Sequence, residues 1–235
     1  MHTHFEGIWV PIVTPLSDDG VDHSSLAGLA RYLGDQGIAG IVAGATTGEG
    51  ALLRTGEQEA ICTTLRAAVP ELPIVLGISQ PSTDVAASMA RSLAMLRPDG
   101  LLVAPPLYVR PTQQGIQRHF EAVAEAADLP ILIYNIPYRT GVNVELGTLQ
   151  SLARDPHIAG IKGCGGTTER MLRLVHETSL KVLSGDDSQN FAALCLGAHG
   201  VIAASAHVLP SWHVHMLELL RQGRLEAARR TAVTL

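Results

Sequence analysis

The chain has 235 residues, 46% of them hydrophobic and 17% charged, with a formal net charge of -5. That length and composition describe one large α/β domain or two small ones with a thick interior, and they exclude a disordered chain. The acidic balance and the lack of any Lys/Arg cluster argue against nucleic acid as partner, and no stretch approaches the roughly 20 apolar residues of a membrane helix. The first seven residues, MHTHFEG, have neither a basic start nor an apolar run, so no secretion signal is expected. Cys62, Cys164 and Cys195 are an odd number with mostly apolar or glycine neighbours. They are expected to be reduced thiols filling a core, in a cytoplasmic protein.

Short apolar runs then recur along the chain: GIWVPIVT (7–14), GIAGIVAGA (37–45), PIVLGIS (73–79), GLLVAPP (100–106), PILIYNIP (130–137), IAGIKGC (158–164), KVLSGDD (181–187) and GVIAAS (200–205). Each is continuous rather than alternating, as parallel strands covered on both faces require. Amphipathic segments such as HSSLAGLARYLGDQ, GEQEAICTTLRAAV, TDVAASMARSLAML and QQGIQRHFEAVAEAA lie between them and are predicted as helices, several opened by a capping Ser, Thr or Asp. Eight strand–helix repeats predict a closed (β/α)8 TIM barrel over 1–209. Residues 210–235 are expected to hold the final barrel helix and the start of a C-terminal helical region. An open doubly wound sheet would carry GxGxxG after its first strand, where this chain has TPLSDDG. The chain stops inside what reads as a helix, LEAARRTAVTL, so a C-terminal helical extension is expected to be largely absent.

In such a barrel the chemistry belongs at the C-terminal ends of the strands. The sixth strand carries Lys162, one of only two lysines, with Lys181, among 17 basic residues. An amine in a dry strand loses its proton readily and can attack a ketone, which a guanidinium cannot. The alternative is a lysine that runs its stem along the strand to the rim. Tyr134, one strand away, is either a core aromatic or a proton donor and acceptor. Thr46-Thr47-Gly48 is either a plain turn or a carboxylate cradle at the mouth of a helix, and Arg139 is either solvated or a bidentate carboxylate grip. His2-Thr3-His4 has the spacing of a metal pair but precedes the first strand, at the wrong end of a barrel. His213 and His215 lie in a predicted helix, where residues two apart face different ways. No metal is expected.

In order, GATTGEG, PPLYVRP, YNIPYRTG, GIKG, SGDD and GVIAAS resemble the pyruvate-dependent class I aldolases related to dihydrodipicolinate synthase and N-acetylneuraminate lyase, over essentially the whole barrel. The resemblance implies that Lys162 forms the Schiff base with pyruvate. Tyr134 would be the general acid/base, and Thr46 would relay its proton towards Tyr108, a tyrosine that in this family reaches into a neighbouring subunit. Thr47 and Gly48 would bind the pyruvate carboxylate, with Gly185 and Ile202 also on the substrate side. Arg139 matches the synthase pattern YNxPxRTG, where it grips the carboxylate of aspartate semialdehyde. The implied activity is condensation of pyruvate with that aldehyde to 4-hydroxy-tetrahydrodipicolinate, in lysine and diaminopimelate biosynthesis, by a homodimer or homotetramer that needs no metal or organic cofactor. An aldolase for a sugar-derived 2-keto acid or for 4-hydroxy-2-oxoglutarate, or a family barrel without turnover, is the alternative. GCGGTTER after the lysine and SAHVLP after the last strand depart from the synthase pattern near the second substrate. At positions matching the lysine feedback site stand Gln58, Pro81, Val85 and Leu107 in place of His, Asn, Glu and Tyr, which implies that lysine does not inhibit.

Overall fold

The computed structural model describes residues 5–54 and 56–235. The eight apolar runs become eight parallel strands: β1 (Gly7–Pro11), β2 (Gly40–Ala43), β3 (Ile74–Ile78), β4 (Gly100–Val103), β5 (Ile131–Asn135), β6 (Ile158–Gly163), β7 (Lys181–Ser184) and β8 (Gly200–Ile202). They pair in chain order, and β8 returns to β1 to close the barrel. Helices α1 (His23–Asp35), α2 (Glu57–Ala68), α3 (Thr83–Ala94), α4 (Gln113–Ala127), α5 (Pro137–Thr140), α6 (Leu146–Leu152), α7 (Thr168–Glu177), α8 (Asn190–Cys195), α9 (Pro210–Arg221) and α10 (Leu225–Ala232) complete the chain, with α10 packed on α9. A hairpin of Leu16–Ser17 and Gly20–Val21 sits between β1 and α1. Asp22, Ser82, Thr112 and Thr167 cap α1, α3, α4 and α7 by accepting a backbone N–H three residues on.

Side chains alternate between two dry spaces, which is why the strands read as unbroken apolar runs. Ile8, Val10, Ile41, Ile74, Leu101 and Ile133 face outward and pack under the helices. Trp9, Val42, Val75, Leu102, Leu132 and Leu183 face inward. The rings of Phe5 and Trp9, 5.6 Å apart, occupy the interior, and Trp9 lies against Gly40, where a Cβ would come within 2.3 Å of the indole. Burying one such large side chain contributes about 1.5–3 kcal/mol.

The strands are shorter than the apolar runs. β2 stops at Ala43 because Gly44 has φ +62°, a left-handed turn that leaves the sheet. Thr46-Thr47-Gly48 does not stand at the mouth of a helix: it is a run of turns, and α2 begins only at Glu57. Arg139 lies on the one-turn helix α5, which Pro137 opens and Gly141 (φ +76°) ends. Cys62 and Cys164 are buried as expected, but Cys195 is exposed. Its turn of α8 faces out.

Candidate active site

β5 and β6 are paired so that Tyr134 lies directly beside Lys162, and Lys162 beside Leu183 of β7. Leu183 points into the barrel, and so does the lysine, which is only 4% exposed. Its Nζ lies 4.5 Å from the centroid of the Tyr134 ring. Burial is the largest influence on the amine and lowers its pKa; Cys164 and Asp187 act the other way. Desolvation therefore favours the uncharged nucleophile. The stem has room because residue 185 is glycine: a Cβ there would stand 2.5 Å from both Lys162 Cε and Cys164 Sγ. The backbone N–H of Gly185 donates to the Gly163 carbonyl at 2.8 Å, which holds the glycine in place.

The Tyr134 hydroxyl lies 3.4 Å from Thr46 Oγ1. Burial, the largest cause, raises the phenol pKa well above its ordinary value, and the Thr46 contact only partly offsets it. Tyr134 thus stays protonated at neutral pH and passes protons only in concert with a neighbour. Above them opens a cavity of about 930 Å³, counted out to solvent, whose wall includes Thr46, Tyr134, Ile136, Leu107 and Arg139. The Arg139 guanidinium lies 5.9 Å from the centroid of the Tyr138 ring. Lys162 lies behind Tyr134 rather than on that wall.

Thr47 is half-buried and Gly48 buried in the turns after β2, beside Thr46. Gly48 accepts from Thr14 Oγ1 at 2.7 Å, and a Cβ on it would meet the Ile12 carbonyl at 2.8 Å. Ile202 is buried at the end of β8 within the inner cluster. Tyr108 stands apart: it is 91% exposed, with φ +70°, and is not part of the cavity wall. Lys162, Tyr134, Thr46 and Gly185 are thus together, Arg139 shares the cavity of Tyr134 and Thr46, and Tyr108 does not.

Cys164 belongs to this neighbourhood too, although the sequence singled it out only as core filler. It stands two residues beyond Lys162, just past the end of β6, so strand alternation keeps it on the inner face, and that spacing was the available signal. Its Sγ lies 3.1 Å from the Gly185 carbonyl, and burial keeps the thiol neutral. His2 and His4 lie outside the described residues. His213 is buried with Nε2 3.1 Å from Ser205 Oγ, while His215 is exposed, so the two do not converge.

The Dihydrodipicolinate synthetase family model matches residues 4–235. The chain is 36% identical over 229 residues to a 4-hydroxy-tetrahydrodipicolinate synthase of Persephonella marina, covering 96% of this chain and 78% of that protein. Among solved structures, dihydrodipicolinate synthase from Aquifex aeolicus superposes with a TM-score of 0.94 at 31% identity, over 98% of this chain and 80% of that one. The synthase of Cyanidioschyzon merolae with lysine bound superposes with a TM-score of 0.93 at 34% identity, over 97% and 80%.

Proposed function

The chain belongs to the dihydrodipicolinate synthetase family, and on that premise we propose that it is a Schiff-base lyase condensing pyruvate with aspartate semialdehyde to 4-hydroxy-tetrahydrodipicolinate. One observation carries the proposal: a lysine amine, 4% exposed, is held against the ring of a tyrosine whose hydroxyl reaches a threonine at the floor of an open cavity. In this mechanism the neutral amine of Lys162 attacks the ketone of pyruvate and water leaves. Thr47 and Gly48 hold the carboxylate. The imine, once protonated, draws electrons from the methyl group, so a proton leaves to give the enamine. Tyr134 takes that proton as it hands its own to Thr46, because a free buried phenolate would be costly. The enamine carbon attacks the aldehyde, whose carboxylate Arg139 grips, with Gly185 and Ile202 along the substrate. The aldehyde's own amine then displaces Lys162 as the ring closes.

Tyr108, exposed within one chain, completes the relay of a neighbouring subunit in a homodimer or homotetramer, and the enzyme works in the cytoplasm. Among the described residues no helix is long and apolar enough to cross a membrane.

Reduction with borohydride in the presence of pyruvate tests the first step. The peptide bearing Lys162 is expected to gain the mass of the reduced adduct, and an unlabelled peptide would overturn the reading. Turnover with aspartate semialdehyde, compared with other aldehydes, tests the second substrate. Arg139→Ala is expected to weaken the semialdehyde selectively while leaving the pyruvate adduct intact.

A further inference from the structure

The segment joining α5 to α6, residues 142–145, is neither helix nor strand, yet Val144 at its centre is fully buried. Its backbone polar groups are taken up by side chains from four elements. Gln113, at the start of α4, donates to Asn143 O at 2.8 Å, and its Oε1 accepts from Glu145 N at 3.0 Å and from Thr148 Oγ1 at 2.7 Å. Asn135, at the end of β5, donates to Asn143 Oδ1 at 2.9 Å and accepts from Val144 N at 3.0 Å. Thr140, at the end of α5, donates to Val142 O at 2.9 Å. Arg170, on the first turn of α7, donates from Nη2 to Val144 O at 2.5 Å.

Ordering four side chains on four residues of connector opposes their conformational freedom and needs a compensating gain. The connector governs what precedes it. Helix α5 is closed on itself, with Thr140 N bonded to Ile136 O at 3.0 Å and Gly141 N to Pro137 O at 2.9 Å. It carries Arg139 as a short rigid body that leads through Gly141 directly into this strap. Of the four clamps, Arg170 alone comes from the element that follows Lys162. It ties the side of the barrel that forms the imine to the side that holds Arg139, from a half-buried position where its charge strengthens the bond to a carbonyl.

We propose that Arg170 is a positioning residue for the second substrate: through Val144 O and the strap it sets α5, and with it the guanidinium of Arg139. The inference rests on Arg139 being the grip for the aldehyde's carboxylate. Steady-state kinetics of Arg170→Ala, Arg139→Ala and the double variant, with pyruvate and aspartate semialdehyde each varied, tests it. Arg170→Ala is expected to raise KM for the semialdehyde by about ten-fold, the loss expected of one hydrogen bond from a charged donor. KM for pyruvate and the rate of borohydride trapping stay at the wild-type values. Arg170→Lys, which can still donate to the same carbonyl, restores most of the affinity. In the double variant the effect of losing Arg170 disappears, because a residue acting through Arg139 has nothing left to act on.

Equal changes in both KM values, or an effect that persists in full without Arg139, would overturn the proposal. If Arg139→Ala itself leaves the semialdehyde KM unchanged, the assignment of Arg139 falls and takes this inference with it. Should Arg170→Ala fail to fold, Arg170→Met keeps the packed stem without the donor and yields the same comparison.

Discussion

The distance from Lys162 Nζ to the Tyr134 ring, 4.5 Å, leaves no room for a hydration shell on that side of the amine. Its folded pKa is lowered by burial, so the ammonium gives up its proton at a lower pH than a free lysine does. The rate of pyruvate trapping is therefore expected to be flat above that lowered pKa and to fall as pH drops through it; trapping that rises only near the pKa of free lysine would contradict a desolvated amine. Gly185 tests the packing. A methyl group there would stand 2.5 Å from Lys162 Cε, so Gly185→Ala must displace the amine. Misplacement by about 1 Å costs on the order of a hundred-fold in rate, and trapping by this variant is expected to fall by about that factor while its circular dichroism stays unchanged. Tyr134→Phe keeps the ring under the amine and removes only the hydroxyl beside Thr46. Turnover should fall roughly 10²- to 10⁴-fold, yet the imine should still be trapped.

At the scale of elements, α3 and α4 meet through a buried histidine. His119 is 1% exposed, its Nδ1 lies 3.0 Å from Thr83 Oγ1, and burial pushes its pKa down to about 4. The unfolded chain, with histidine near 6.5, takes up the proton first as pH falls. The stability due to the neutral ring is complete above about pH 6.5 and is lost progressively towards pH 4, by on the order of 3 kcal/mol. Urea unfolding of the wild type and His119→Gln at pH 7 and 4.5 is expected to show a smaller drop for the variant. The strands were legible because parallel strands buried on both faces leave an unbroken apolar trace, and the candidate pair of Lys162 and Tyr134 was legible because lysine is rare here and the two lie on neighbouring runs, which the pairing then sets side by side. Other features left no such trace. The four residues Pro137–Thr140 look like a loop although they close a helical turn, and the turns after β2 look like a helix start. Gly185 matters for the space it leaves, and Arg170 for a carbonyl 26 residues away, which no periodicity records.

Across the whole molecule, the residues expected at the lysine feedback positions offer little to a cationic amino acid. Gln58 is buried, its amide donates to the Gly77 carbonyl at 2.8 Å, and it is pressed against Gly44, while Val85 supplies no carboxylate. Millimolar lysine is expected to leave the initial rate unchanged, and an inhibition constant in the micromolar range would contradict that. The tilted contact of Phe5 with Trp9 closes the barrel's interior to traffic, so the reactants meet only at its rim. Both rings are buried and fill the inner space of the barrel, so nothing passes between them. The carbon that attacks the aldehyde exists only after pyruvate has joined Lys162 and water has left, so the two reactants take turns, and double-reciprocal plots at several fixed pyruvate levels should run parallel.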